Sequence, residues 1–263
     1  MPNQSPNHRL TELFRKKKNS ILSVYFTAGY PQLDDTVRIA EYLEQADADI
    51  IEIGMPYSDP LADGPTIQQS GAQALANGMT IAVLFEQLQS IRSTVSVPLI
   101  LMGYLNPVMQ YGVERFCEQC QQVGIDALII PDLPMQEYLD EYKDLFESYG
   151  LFNIFLVSPQ TSNERIRLID RHSHGFIYVV SSASITGAKS GITDEQIAYF
   201  ERIRAMRLKH PTLIGFGISD RETFRTACDY AQGAIIGSAF IKKLEDSKNL
   251  KQGIDQFVRQ IKG

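Results

Sequence analysis

The feature that most constrains how this chain can fold is a repeated alternation of two hydrophobic patterns. Short apolar runs of strand length alternate with amphipathic stretches whose apolar residues recur every three or four positions, as at Val37, Ala40 and Leu43. Near-continuous apolar strands indicate a parallel sheet that is covered on both faces. Strands that alternate with helices form βαβ units. The predicted strands are Ile21 to Phe26, Ile50 to Ile53, Val97 to Met102, Ala127 to Ile130, Asn153 to Val157, Phe176 to Val180, Thr212 to Phe216 and Ala234 to Ile236.

Eight such units fit either an open doubly wound sheet or a closed barrel. A dinucleotide-binding sheet carries G-x-G-x-x-G after its first strand, whereas this chain reads Thr27-Ala28-Gly29-Tyr30-Pro31 there. The strand count favours an α/β fold of the (β/α)8 TIM-barrel type, with residues 1–263 as a single domain. We predict an extra N-terminal helix over Arg9 to Lys18 that closes the barrel floor. We also predict an enlarged loop after strand 2, with helices over Thr66 to Asn77 and Thr80 to Ser93.

Composition and cysteine usage exclude several classes of function. The net charge of -6 argues against nucleic-acid binding, which needs a basic surface, but backbone amides could still hold one phosphate. Cys117 and Cys120 lie one turn apart on a predicted helix without a second ligand pair, so they indicate packing rather than a metal site. No apolar run approaches the roughly 18 residues of a membrane span. The polar start, Met1 to Ser20, lacks the apolar core of a signal peptide, so we expect a cytoplasmic protein.

Glu52 is the first candidate catalytic residue. It lies within a predicted strand whose alternation places Ile51 and Ile53 on one face and Glu52 on the other. If the isoleucines pack under helices, Glu52 points into the barrel, where burial raises a carboxyl pKa toward the range useful for proton transfer. A structural glutamate bound to a neighbouring backbone group or lysine is the alternative, and the strand pattern alone leaves both interpretations open.

A loop rich in proline and glycine follows this strand and carries two aspartates. It reads Pro56-Tyr57-Ser58-Asp59-Pro60-Leu61-Ala62-Asp63-Gly64-Pro65, a composition that forbids helix and strand. Either Asp59 or Asp63 could direct a carboxylate at a ligand donor. Asp63 also stands just before the helix predicted from Thr66, and the sequence alone favours a helix N-cap for it.

Glycine turns after the last two strands predict a phosphate site. They are Gly215-Phe216-Gly217-Ile218-Ser219 and Gly237-Ser238, the second followed by a short helix over Ala239 to Leu244. Glycines let backbone amides approach an anion, a helix N-terminus favours negative charge, and barrels often bind phosphate here. Tight turns without a ligand are the alternative. A third glycine segment, Thr186 to Gly191, could fold over a ligand as a lid.

The remaining candidate residues limit the reaction mechanisms that the chain could use. Tyr178 alternates with Ile177 and Val179 in its strand and faces inward either as a substrate wall or as a core tyrosine. None of the four histidines falls at a strand end. No lysine lies in a strand, where a barrel aldolase of the Schiff-base type would need one, and Lys189 in the glycine segment is expected to be solvated.

Taken together, these motifs resemble the tryptophan synthase α family. The segment Ile51 to Gln68 is similar to the signature of that family almost letter for letter, and further matches follow in order along nearly the whole chain. The further matches are Thr27-Ala28-Gly29, Gly103-Tyr104-Leu105-Asn106-Pro107, Pro131-Asp132-Leu133-Pro134, Ile185-Thr186-Gly187, Gly215-Phe216-Gly217-Ile218-Ser219 and Gly237-Ser238.

The resemblance implies a lyase that splits indole-3-glycerol phosphate into indole and glyceraldehyde 3-phosphate. By position, Glu52 matches the proton-transfer glutamate and Asp63 the aspartate that binds the indole N–H, which reverses the preference for an N-cap. Tyr25 and Tyr178 match residues near the indole. The other implied substrate-binding positions are Thr186, Gly187, Gly215, Phe216, Gly217, Gly237 and Ser238.

The resemblance also implies a partner. Family members work in an α2β2 complex with a β subunit that carries pyridoxal phosphate, whereas the α chain needs neither cofactor nor metal. The loop that bears Asp59 would face that subunit. Some members have an arginine where this chain has Ser182, a difference that bears on lid closure and on coupling to the partner.

Three other functions compete with this one. An autonomous lyase would share the fold and chemistry without an obligate partner, and the sequence does not separate the two. A weakly catalytic regulatory subunit is disfavoured by the intact Glu52 and Asp63. A sugar-phosphate isomerase or prenyl transferase barrel is a different class, and such an isomerase would usually carry a catalytic lysine or histidine at its strand ends.

Overall fold

The chain forms a parallel barrel in a computed structural model that describes residues 8–181, 192–215 and 217–263. Within these ranges, nine strands belong to one sheet in which every pair of neighbours is parallel. They are β1 (Ile21–Thr27), β2 (Ile50–Gly54), β3 (Leu99–Met102), β4 (Ala127–Ile129), β5 (Phe152–Asn153), β6 (Leu156–Val157), β7 (Ile177–Val180), β8 (Thr212–Gly215) and β9 (Gly233–Ile236).

The barrel closes through the backbone between β5 and β6. These two short strands stand at opposite ends of the sheet order β5-β4-β3-β2-β1-β9-β8-β7-β6, yet only Ile154 and Phe155 separate them along the chain. The Ile154 N–H donates to the Leu128 carbonyl on one side, and the Phe155 carbonyl accepts from the Tyr178 N–H on the other, both at 2.9 Å. The fifth predicted strand is therefore divided in two, and the predicted barrel architecture is confirmed.

Helices cover the outside of the sheet, and within the described ranges none is long and apolar enough to cross a membrane. A 3-10 turn (Ile91–Ser93) and a π-helical turn (Tyr138–Tyr142) accompany the α-helices. The α-helices are α1 (Arg9–Lys16), α2 (Asp35–Gln45), α3 (Pro65–Ala76), α4 (Ile81–Leu88), α5 (Leu105–Tyr111), α6 (Val113–Val123), α7 (Met135–Glu137), α8 (Lys143–Ser148), α9 (Asn163–His172), α10 (Asp194–Ala205), α11 (Arg221–Tyr230), α12 (Ser238–Asp246) and α13 (Leu250–Lys262).

The apolar side chains form two separate cores, one on each face of the sheet. The outer core lies between strands and helices and includes Ile51 and Ile53. The inner core fills the barrel and includes Ile50, from the opposite face of the same strand. Leu10 and Phe14 of α1 pack into this inner core, which confirms that the N-terminal helix closes the floor. The alternation predicted for β2 therefore holds, and it directs Glu52 inward.

The enlarged connection after β2 contains the predicted helices, with slightly different bounds. α3 and α4 occupy the two predicted positions, and the Thr80 hydroxyl caps α4 by accepting from the Val83 N–H at 3.2 Å. α3 packs against both β1 and α12. The loop between β2 and α3 is thereby held at the carboxyl ends of the strands, where the active sites of such barrels lie.

Candidate active site

Glu52 is fully buried inside the barrel, and its two carboxyl oxygens have different surroundings. Oε1 accepts a hydrogen bond from the Ser23 hydroxyl at 2.6 Å, whereas Oε2 has no hydrogen-bond partner among the described residues. Burial raises the pKa of Glu52 to about 7, although the Ser23 hydroxyl acts in the opposite direction. Among the described residues, the hydrogen bond of the Glu52 carboxyl group is thus to a hydroxyl, not to a backbone group or a lysine. A pKa near neutrality suits a group that gives and takes a proton.

Asp63 lies in the loop between β2 and α3 and is held by a tyrosine from the next strand end. The Tyr104 hydroxyl donates to Asp63 Oδ2 at 3.1 Å and accepts from the Ala62 N–H at 3.0 Å. Burial raises the pKa of Asp63 to about 6, and the hydrogen bond from Tyr104 opposes that rise. Asp63 therefore ionises more readily than Glu52.

The N-cap interpretation of Asp63 is wrong. α3 begins at Pro65 with Gly64 as its N-cap, and no side chain makes a capping hydrogen bond there. The carboxylate instead bonds to Tyr104, which lies between β3 and α5 and was not among the predicted site residues. The motif Gly103-Tyr104-Leu105-Asn106-Pro107 was a usable signal, because it directly follows a strand at the catalytic end of the barrel.

Tyr25 and Tyr178 both lie over glycines of neighbouring strands. Tyr25 pairs in register with Glu52, and a Cβ added at Gly54 would collide with its hydroxyl. A Cβ added at Gly215 would collide with the hydroxyl of Tyr178 in the same way. Burial, assisted by the negative charges of the two carboxylates, raises the pKa of both phenols. Each tyrosine therefore stays neutral across the physiological range.

Tyr25 and Asp63 share one cavity at the carboxyl ends of the strands. The cavity is lined by Tyr25, Met55, Asp63, Met102, Gly103, Tyr104 and Pro131. A wider cleft of about 500 Å³ lies at the opposite end of the barrel, where Lys17 and Lys262 contact Asp49 at 2.7 and 3.1 Å. That cleft is remote from Glu52 and Asp63, and its lysines are engaged with Asp49, so the smaller cavity is the candidate active site.

The predicted phosphate turns lie next to each other at the same end of the barrel. β8 ends at Gly215 and pairs with β9, which leads through Gly237 into α12. Gly217 has a φ of +75°, which favours glycine. Gly237 is the N-cap of α12 and Ser238 its exposed first residue, and no side chain caps this end. First-turn amides lack partners within the helix and suit an anion.

Some predicted residues are not part of the described structure or stand away from the cavity. Thr186, Gly187 and Phe216 lie outside the described residues, as do Ser182 and the glycine segment proposed as a lid. Asp59 is exposed on the loop after β2, two positions from Leu61, whose exposed fraction is 85%.

The two cysteines of the C-x-x-C pair are part of the outer core. Both are fully buried in α6, and burial raises the pKa of the Cys117 thiol to about 12. Within the described part of the chain, no group of three or more potential metal-binding side chains lies together. Their burial in the outer core supports the packing interpretation of Cys117 and Cys120.

Comparison with known proteins gives one consistent family. The family model described as "Tryptophan synthase alpha chain" matches residues 11–262. The tryptophan synthase alpha chain of Flavobacterium johnsoniae is 60% identical over 255 residues, which are 97% of this chain and 100% of the relative. That of Parabacteroides distasonis is 50% identical, with 97% and 99% covered.

Solved structures agree with the sequence comparison. Tryptophan synthase subunit alpha from Legionella pneumophila superposes with a TM-score of 0.87 at 34% identity, covering 97% of each chain. A chain of Mycobacterium tuberculosis tryptophan synthase superposes with a TM-score of 0.86 at 30% identity, covering 96% of each. The similarity thus extends over the whole barrel.

Proposed function

The chain belongs to the tryptophan synthase alpha chain family, which makes it a lyase of tryptophan synthesis, and on that premise we propose that it cleaves indole-3-glycerol phosphate. The products are indole and D-glyceraldehyde 3-phosphate. The observation that carries the proposal is the pair formed by the buried Glu52 and the half-buried Asp63. Their pKa values of about 7 and about 6 lie in the range useful for proton transfer.

The chemistry of the substrate defines what the first carboxyl group must do. The bond from indole C3 to the glycerol chain breaks only after C3 becomes tetrahedral, and that requires a proton. Protonated Glu52 gives its proton to C3, and the resulting carboxylate takes the proton of the adjacent chain hydroxyl. The bonding electron pair returns to the ring, the chain carbon becomes an aldehyde, and Glu52 is protonated again.

The second carboxyl group stabilises the charge that this step creates. Protonation of C3 leaves a positive charge shared with the ring nitrogen, and ionised Asp63 would accept a hydrogen bond from that N–H. The lower pKa of Asp63 supports this division of roles. At a pH between about 6 and about 7, Asp63 is mostly ionised while Glu52 is mostly protonated. Two carboxyl groups in different environments are a common basis for such assignments.

The remaining proposed substrate contacts are residues near the carboxyl ends of the strands. Tyr25 and Tyr178 would form walls for the indole ring beside Glu52. Gly215, Gly217, Gly237 and Ser238 would present backbone amides and the N-terminus of α12 to the phosphate. Thr186, Gly187 and Phe216 are proposed substrate contacts from their position in the family motifs alone.

A β subunit is the proposed partner of this chain, in an α2β2 complex. Asp59 and the highly exposed Leu61 lie on the loop beside the cavity, and an exposed apolar side chain next to a charge suits a docking surface. In this proposal the β subunit, which carries pyridoxal phosphate, uses the indole that this chain releases.

Indole release from indole-3-glycerol phosphate by the purified chain tests the proposal directly. The assay is run with and without a tryptophan synthase β subunit. We expect slow release alone and a sharp increase when the partner is added. Fast release without the partner would instead identify an autonomous lyase. No release in either condition would refute the proposed substrate.

A further inference from the structure

Ser23 contacts Glu52 from the adjacent strand inside the barrel. It lies on β1, fully buried, and its register partners Ile50 and Ile235 belong to the inner core. Tyr25 is the register partner of Glu52, so Ser23 lies one inward position closer to the barrel floor. The 2.6 Å separation of Ser23 Oγ and Glu52 Oε1 is typical of a hydroxyl that donates to a carboxylate.

The second oxygen of the same carboxyl group has no hydrogen-bond partner in the part of the chain that the structure describes. Glu52 Oε2 is buried and makes no hydrogen bond within the described ranges, which costs free energy in a folded protein. Such an orphan polar atom calls for an explanation, and a catalytic role is one of the accepted explanations. The asymmetry is useful chemically, because Oε1 is occupied by a donor and a proton on the carboxyl group is therefore favoured at Oε2.

We propose that Ser23 is a positioning residue, which holds Glu52 through Oε1 so that Oε2 carries the proton exchanged with the substrate. The inference rests on the proposed lyase function and names a residue that this function did not include. Ser23 itself does not touch the reacting atoms. It fixes the rotation of the carboxyl group and also favours the ionised form, because its hydroxyl donates.

The pH dependence of the reaction reports this interaction. Among the described residues, Tyr25 of β1 and Tyr178 of β7 interact electrostatically with Glu52, and Asp63 of the loop acts on both phenols. The two phenols stay neutral because burial raises the pKa of each. The reaction needs ionised Asp63 and protonated Glu52. Activity therefore decreases on the acid limb, when the pH drops below the pKa of Asp63. It also decreases on the basic limb, when the pH rises above the pKa of Glu52.

Ser23→Ala is the informative variant because it removes one buried oxygen and little else. Loss of a hydrogen bond to the ionised form should move the basic limb of kcat/KM upward by about one pH unit or more. The acid limb should stay where it is. We expect kcat at the optimum to fall roughly tenfold while KM changes little, since positioning acts on the chemical step. Ser23→Thr retains a hydroxyl, so its kcat and the pH of its basic limb should be close to those of the unmodified protein.

Ser173→Ala provides the matched control. Ser173 is also buried, at the C-terminal end of α9. Its hydroxyl donates to the Ile169 backbone carbonyl at 2.8 Å and not to a carboxylate. This variant should leave both limbs in place. If Ser23→Ala leaves the basic limb and kcat as in the unmodified protein, or if the Thr variant is as impaired as the Ala variant, Ser23 only packs.

A substrate-free measurement separates this inference from the proposed function. The pKa of Glu52 is followed by carbon NMR of protein labelled at the glutamate carboxyl carbons, with Glu52→Gln used to assign the signal. A higher pKa of Glu52 in Ser23→Ala would support the Ser23 contact even if no indole were released. An unchanged pKa would overturn the contact whatever the substrate is.

Discussion

At the scale of single residues, Glu52 is suited to catalysis but lowers the stability of the protein at neutral and alkaline pH. An accessible glutamate has a pKa of 4.5, and burial raises that of Glu52 to about 7 in the folded protein. The folded state therefore holds this proton more tightly than the unfolded state. The resulting stabilising contribution to the free energy of unfolding is fully present below about pH 4.5 and is lost as the pH rises through about 7.

Glu52→Gln should therefore abolish indole release and still give a more stable protein at alkaline pH. We expect the free energy of unfolding at pH 8 to rise by about 1–3 kcal/mol, with little change at pH 5. Urea denaturation at both pH values measures it. Glu86→Gln, at an exposed position of α4, is the control and should be neutral at both. Near-normal turnover of Glu52→Gln would contradict the acid/base assignment.

At the scale of secondary-structure elements, the contact between β7 and β8 shows why one strand end must be glycine. Val180 and Gly215 are register partners, and the phenol of Tyr178 extends into the space that a side chain at position 215 would occupy. The glycine at the end of β8 thus leaves room for Tyr178 and also begins the turn that is proposed to bind phosphate.

Gly215→Ala should displace Tyr178 and impair both folding and activity. The added methyl group overpacks the site, with an expected loss of about 1–3 kcal/mol in the free energy of unfolding. We also expect a roughly 10- to 100-fold loss of kcat/KM, measured by indole release.

Gly71→Ala in α3 is the matched control for Gly215→Ala. A Cβ at Gly71 would meet nothing within 4 Å, so helix propensity should make this variant more stable by about 0.5–1 kcal/mol. Its activity should not change. Equal effects of the two substitutions would argue against the steric explanation.

At the scale of the whole molecule, the barrel depends on α1 as its floor. Phe14 is 8% exposed and packs in the inner core with its ring centroid 6.0 Å from that of Phe176. Phe14→Ala should lower the free energy of unfolding by about 3–5 kcal/mol. The substitution leaves an empty space where the ring was, and the closed barrel cannot collapse to fill it.

Arg15→Ala, on the outer side of the same helix, is the comparison for Phe14→Ala in urea denaturation. Arg15 forms an ion pair with Glu12 at the surface, and an exposed ion pair of this kind contributes about 0–1 kcal/mol. A Phe14 variant as mild as the Arg15 variant would mean that α1 does not seal the barrel.

The sequence by itself determined the features that depend on local periodicity. Alternation along β2 was enough to direct Glu52 inward and Ile51 outward, because successive side chains of a strand point to opposite faces. The order of strands and helices indicated the barrel, which the structure confirms, whereas the anion site inferred from the glycine turns after β8 and β9 stays a prediction. The barrel inference rests on the number and order of these units along the chain, whereas the other inferences use residues within a few positions of one another.

Only the tertiary structure decided which distant groups meet. Ser23 and Glu52 are 29 positions apart, Asp63 and Tyr104 are 41 apart, and nothing in the local pattern near Asp63 revealed that it bonds to Tyr104 rather than capping α3. The pKa values of the two carboxyl groups were equally hidden. They depend on the removal of water by residues that are distant in the sequence, which surround Glu52 inside the barrel and Asp63 at the carboxyl ends of the strands.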